Sequence, residues 1–466
     1  MLDLAYQSLT REAGDACLIG PASEAPNAGY VWHYWLPWMA ILDPERLRLC
    51  QVEQALVEGR PFAFPLELRW EFIEQVRRHR TAGFLNPHVP PGVLTAARAG
   101  RAIILLFFGH EARPLSYIGS DQQLGAYDYF LGFVLRHDLP RGALWFVSGN
   151  LAGRSEYESW KRQRVGGSDA PDPFETRFVE PFSYLAQAAL CVEERGFEVL
   201  VESKGSTDAH GSYRQEAIRL ALSPIGRRFG NPDPDPARPD GSLPPKLFLC
   251  MNRRPHGHRR KIVCHLLRRG HLERSLVSFR DDKPKAIHWG EAALTMAWRQ
   301  LRKRQPLTID RELPLDYDTY FRDNPGAIKN GDPWPYRDSC YSIITETHFT
   351  NDRLFVSEKL WKPIMNRHPF LVVGTPGTLA YLQSLGFRTF NPAIDERYDS
   401  LTDDRRRMRA LFVAIDALGA LDDQRRAAML KHMQPILAHN EYHLRHLETP
   451  MAELLHEVEA RLTSAR

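Results

Sequence analysis

The stretch YSIITETHFTNDRLFVSEKLWKPIMNRHPFLVVGTPG, residues 341–377, decides the fold. It opens on an apolar run, YSIITE at 341–346, and crosses a short polar loop. At Ser357, Glu358 and Lys359 it enters a helix, and it returns to a second apolar run, FLVVG at 370–374. Ser357 suits an N-cap, because its hydroxyl can accept an orphan N–H of the first helical turn. Leu360, Trp361, Ile364 and Met365 recur at the spacing of one buried helical face. Strand, loop, helix and strand in that order predict a βαβ unit and hence a parallel sheet.

Upstream, KLFLCMN at 246–252 reads as another strand, feeding a basic segment, CMNRRPHGHRRKIVCHLLRRG at 250–270, that becomes helical before Gly270. The same rhythm of short apolar runs and longer helix-patterned stretches occupies the first half: AIILLFFG from Ala102, ALWFVSG at 143–149, a helical pattern at 184–195 and FEVLVES at 197–203. Between the halves, GNPDPDPARPDGSLPPK at 230–246 concentrates proline, glycine and aspartate and reads as a linker. The expectation is an α/β protein of two Rossmann-like domains facing across a cleft. The first takes residues 1–235 and the second 246–440. A final amphipathic helix over 441–466, with Leu444, Leu447, Met451, Leu454, Leu455 and Val458 on one face, packs back toward the first domain.

Length and composition agree with that plan. A chain of 466 residues exceeds what one hydrophobic core usually serves. Hydrophobic residues at 43% and charged residues at 25% are ordinary for a globular chain and exclude a largely disordered one. The formal net charge of +4 is too small to define a nucleic-acid binder by itself. The six cysteines include no C-x-x-C pair, which argues against a disulfide framework or a structural zinc and for a reducing compartment. The first residues carry Asp3, Glu12 and Asp15 where a signal peptide needs an apolar core, so the expected location is cytoplasmic.

Two segments carry chemistry. In 250–270 a strand runs into a loop and a helix N-terminus, where unpaired N–H groups and the positive end of the helix dipole favour an anion. Asn252 and Arg253 lie in the loop and Arg259 in the first helical turn. The competing reading is a solvated basic helix, since 253–274 holds eight lysines or arginines against Glu273 alone. His256, His258 and His265 have no Cys or acidic partner at ligand spacing, so no metal is expected. In 341–377, Glu346 ends a strand and Glu358 and Lys359 open a helix, either as ligand-binding groups or as an ordinary capped helix start.

The order of Glu346, the polar loop, aromatic-x-Ser-Glu-Lys at 355–359, helix and PFLVVG resembles the donor-binding core of the α1,3-fucosyltransferase family and its bacterial and phage relatives. The resemblance covers residues 250–400. It implies that Glu358 takes ribose hydroxyls and Lys359 the diphosphate of a nucleotide-sugar. It also implies that Arg259, seven residues before Leu266, binds the same diphosphate. The implied activity is metal-independent, inverting transfer of a sugar to a hydroxyl acceptor, a glycan, a protein or another molecule. The implied donor is GDP-fucose or a similar GDP-sugar. Phe355 stands where the family has Tyr, and Thr347 where it has Asn.

A general base for the acceptor is expected in the first domain. Glu111 follows the strand AIILLFFG, and open α/β sheets bind ligands beyond the carboxyl ends of their strands. A salt bridge to Arg113 explains it equally well. Asn150, Glu202, Asp208 and His210 are held in reserve. Asp395, Glu396 and Asp399 in GFRTFNPAIDERYDSLTDDRRR, from Gly386, read as a turn pairing with Arg397 and Arg405 more readily than as a donor loop. The alternative from another class is a non-catalytic nucleic-acid-binding protein using the basic helix at 253–274 with Trp334, Tyr336 and Trp361. A DNA-modifying glycosyltransferase joins the two.

Overall fold

The computed structural model describes residues 2–6, 46–68, 85, 89–108, 125–166, 170–195, 242–252, 256–279, 334–350 and 353–464. The chain divides into two compact units. One contains the described residues through Ala188 together with 448–464, and the other contains 189–195 and 242–447.

The first unit is built on a parallel sheet of six strands in the order β2-β1-β3-β4-β5-β6. These are β1 (Leu2–Tyr6), β2 (Leu47–Gln51), β3 (Phe62–Glu67), β4 (Ala102–Phe108), β5 (Leu144–Ser148) and β6 (Glu175–Phe178). Every residue of β4 and β5 is buried, as continuous apolar runs in a doubly covered sheet should be. Helices α1 (Val52–Val57), α2 (Pro91–Arg98), α3 (Ala126–Arg136) and α4 (Arg154–Arg164) accompany the strands, as does α5 (Phe182–Arg195), of which the residues through Ala188 belong to this unit. Tyr127 of α3 meets Phe146, Tyr157 and Trp160 with ring centroids 5.3 to 5.7 Å apart within this core.

β3 contains Pro65, which counts against an interior strand because it cannot donate to a ladder. The N–H groups of Phe62 and Leu68 donate to the carbonyls of Arg101 and Phe107, so the even-numbered residues face β4. Pro65 therefore faces β1, whose register with β3 is the single pair Leu4↔Ala63. The missing donor falls where the ladder has already thinned.

The second unit holds four parallel strands in the order β10-β9-β7-β8. They are β7 (Lys246–Met251), β8 (Leu276–Ser278), β9 (Ser339–Thr345) and β10 (Phe370–Val373). α6 (Gly257–Arg268) follows β7, α7 (Trp334–Arg337) precedes β9, and α8 (Glu358–Met365) joins β9 to β10. After β10 come α9 (Thr378–Ser384), α10 (Asp404–Gly419) and α11 (Asp423–His446). The α/β class and the two Rossmann-like sheets are as the sequence predicts. The expected linker lies outside the described residues up to 241, and Lys246 already belongs to β7.

The expected single helix over 441–466 is instead two segments, α11 ending at His446 and α12 (Pro450–Ser464). Pro450 brings no N–H for a continuous helix, and the Thr449 hydroxyl accepts the Ala452 N–H at 3.2 Å to start a new one. α12 packs on β4 within the first unit and buries Met451, Leu454, Leu455, Val458 and Leu462. Among the described residues no helix is long and apolar enough to cross a membrane.

Candidate functional site

In the second unit the chain runs from β7 to β8 on one side and adds β9 and β10 on the other, so strand order reverses between β7 and β9. At such a switch point the connections leave in opposite directions, and the carboxyl ends of the two strands border a crevice. Asn252 follows β7 there and Glu346 follows β9.

The two strand ends are tied by side chains. Thr345 Oγ1 donates to Asn252 Oδ1 at 2.6 Å, and Asn252 Nδ2 donates to the Ser278 carbonyl at 3.2 Å, so Asn252 joins β7, β8 and β9. Asn252 is 1% exposed, and both ends of its amide serve this edge. From α6, Arg259 Nη2 donates to the carbonyls of Thr345 and Glu346 at 3.2 and 3.1 Å. His258 Nε2 lies 2.8 Å from the Glu346 carbonyl, which can only accept, so that nitrogen carries the proton. Burial, then the Arg259 charge, holds His258 well below the usual histidine range, and the ring is neutral.

The Glu346 carboxylate turns toward the start of α8. Its Oε1 accepts the Ser357 N–H at 3.1 Å, and its Oε2 accepts the Ser357 hydroxyl at 2.6 Å and the Thr347 N–H at 3.2 Å. Burial raises its pKa, opposed by the Lys359 charge and by Ser357. The Ser357 oxygen accepts the Lys359 N–H at 3.3 Å, making Ser357 the N-cap, and the Lys359 ammonium at 3.1 Å. That ammonium also donates to Glu358 Oε1 at 3.0 Å. Burial pushes the Glu358 carboxyl up, but Lys359 and the buried Lys362 outweigh it and hold it at about 2. Burial drives Lys362 below the ordinary ammonium range.

Asn252, Arg259, Glu346, Glu358 and Lys359 thus form one connected group. Arg259 at 3% exposure and Glu346 at 0% are its buried frame, whereas the Lys359 and Glu358 side chains keep 27% and 18% of their surface. Glu358 and Lys359 open a helix capped by Ser357, as the sequence suggests, and both side chains keep part of their surface accessible. Phe355 is buried beside His348, with ring centroids 5.9 Å apart. Arg253, Glu111, Glu202, Asp208 and His210 lie outside the described residues. Asn150 follows β5, with its Oδ1 accepting the Ala152 N–H at 3.2 Å.

Farther along α6, His265 and Arg269 both engage Asp416 of α10, at 2.8 and 2.5 Å, so part of the basic helix is committed within the unit. Asp395 pairs with Arg397 at 2.6 Å. Asp399 accepts the N–H groups of Leu379 and Ala380 at 3.1 Å each, and its carbonyl accepts the Gly377 N–H at 2.9 Å. Asp395 thus makes the expected surface pair with Arg397, while Asp399 braces the loop after β10. His258 was visible in the sequence only as a potential metal ligand; nothing there signals its bond to a carbonyl 88 residues away. Among the described residues no group of three or more His, Cys, Asp or Glu side chains could hold a metal ion.

Comparison with known proteins finds no matching family model, no matching curated protein and no matching solved structure.

Proposed function

We propose that this chain is a glycosyltransferase that binds a nucleotide-sugar at the carboxyl edge of β7 and β9 and transfers the sugar with inversion to a hydroxyl acceptor. The observation that supports the reading is that Lys359 and Glu358 stand partly accessible at one helix start, that Ser357 ties Lys359 to the Glu346 carboxylate, and that the buried Arg259 donates to the Glu346 carbonyl. Sugar transfer leaves a nucleoside diphosphate whose negative charge grows as the glycosidic bond breaks. Fixed cations and helix-start N–H groups stabilise such charge best where they need no rearrangement.

In this reading the Lys359 ammonium contacts the diphosphate and the Arg259 charge supports it from beneath. Glu358 takes the ribose hydroxyls, its carboxylate kept ionised by Lys359 and Lys362. Glu346 and Asn252 position these groups without touching the ligand. The cationic side chains supply the charge, so no metal is required. A GDP-linked deoxysugar such as GDP-fucose is the proposed donor, on the resemblance alone, and Glu111 is the proposed acceptor base.

The test is a thermal-shift series with UDP, GDP, CMP and dTDP, since a ligand that binds only the folded protein raises apparent stability by RT ln(1 + [L]/Kd). GDP is expected to give the largest shift. Absence of any shift, together with steeply salt-dependent DNA binding, overturns the reading in favour of a nucleic-acid-binding protein.

A further inference from the structure

We propose that the Thr375 hydroxyl is a donor to a phosphate oxygen of the bound nucleoside diphosphate. The inference rests on the nucleotide-binding reading above and adds to it a residue on a third strand end, beyond β10.

Thr375 is 3% exposed, and among the described residues its hydroxyl oxygen has no hydrogen-bond partner. A buried hydroxyl left unpaired costs free energy, whereas valine fills nearly the same space without that cost. The backbone at this position is held firmly. The Thr375 carbonyl accepts the Thr378 hydroxyl at 2.7 Å. Two residues on, the Gly377 N–H is held by the Asp399 carbonyl at 2.9 Å, and Gly377 takes φ +83°, which glycine adopts without strain. The turn is fixed at several points, yet the Thr375 hydroxyl meets no partner among the described residues.

The position also fits the ligand. β10 is hydrogen-bonded beside β9 with Val373 opposite Thr345, so Gly374 lies next to Glu346. A Cβ built at Gly374 would come within 3.3 Å of the Glu346 Cβ, so the absence of a side chain there lets the two strand ends approach closely. Glu346 is the residue that fixes Ser357 and, through it, Lys359. Thr375 therefore follows immediately on the strand end that abuts the Lys359 support. A hydroxyl beside a bound diphosphate meets an anionic oxygen, the kind of acceptor that makes its hydrogen bonds strongest.

The experiment compares the full chain with Thr375→Val, Thr375→Ser and Lys359→Ala. It measures calorimetric affinity for GDP, UDP, CMP and dTDP and thermal stability without ligand. Thr375→Val is expected to weaken nucleoside diphosphate binding roughly tenfold. Its ligand-free melting temperature should be unchanged or higher, because an unpaired buried hydroxyl has been removed. Thr375→Ser should bind like the parent. If the parent and Thr375→Val bind the diphosphate equally while Lys359→Ala is weakened, the Thr375 assignment is wrong and the nucleotide site stands. If Thr375→Val melts several degrees lower without ligand, the hydroxyl has a structural role and the assignment is also wrong. If the parent binds none of the four nucleotides, both proposals fall together.

Discussion

The Ser357 hydroxyl donates to Glu346 Oε2 at 2.6 Å while its oxygen accepts both the backbone N–H and the ammonium of Lys359. One side chain thus links a buried carboxylate at the end of β9 to the first turn of α8. Glu346, 11 residues earlier in the chain, sets where Lys359 stands.

Replacing Ser357 with Ala removes the N-cap and one donor to a buried carboxylate at once. The expected cost is about 1–3 kcal/mol of unfolding free energy. Chemical denaturation at neutral pH measures it. Glu346→Gln retains the shape and one acceptor and should cost less; equal losses for the two variants would mean that the Glu346 charge, rather than the cap, dominates.

Lys359→Ala should lower nucleoside diphosphate affinity roughly tenfold, the loss expected for a charge-assisted bond. Its side chain is partly exposed, so the melting temperature should move little. Sugar-transfer rate should fall further if charge grows at the transition state. An alanine variant with parental affinity and rate removes Lys359 from the site.

His368 gives a pH dependence whose sign is fixed by its surroundings. It is 1% exposed, with Nε2 donating to the Ser339 carbonyl at 2.8 Å; in the neutral ring this leaves Nδ1 to accept the Ser342 hydroxyl, 2.9 Å away. Burial, opposed by backbone hydrogen bonds, lowers its pKa from 6.5 to about 4. The unfolded chain therefore takes up this proton before the folded one does. Stability is fully present above pH 6.5 and declines as the pH falls toward 4, by roughly 3 kcal/mol from this group. His258 shifts in the same direction. Urea midpoints between pH 7 and 4 should fall less steeply in His368→Gln than in the parent.

Met451 is fully buried in α12, which packs on β4. Met451→Ala should cost about 2–5 kcal/mol by opening a cavity in the first unit. If the transition shifts by less than about 0.5 kcal/mol, the surface range for substitutions, α12 does not contribute to that core. Nucleotide affinity, which the proposed function assigns to the second unit, should remain parental.

Local pattern alone was enough to read β4, β5, β7, β9 and β10, because short runs dominated by apolar residues between turn residues leave few other conformations. β3 carries Pro65 and β8 spans three residues, so neither announced itself. Proline excludes a strand only where its nitrogen must donate, and that depends on which neighbour each residue faces.

Within the site, the sequence by itself determined the helix start at Ser357, Glu358 and Lys359 and the placement of Arg259 in a first helical turn. Capping and periodicity act over a few residues, and a few residues suffice to recognise them. Only the tertiary structure decided that Arg259 lies buried against the Thr345 and Glu346 carbonyls, that Asn252 clasps three strands, and that the Thr375 hydroxyl finds no partner among the described residues. Those facts follow from the strand order β10-β9-β7-β8. That order brings chain segments some 90 residues apart to one sheet edge. It is set by which apolar faces bury one another, information spread over the whole unit rather than carried by any one motif.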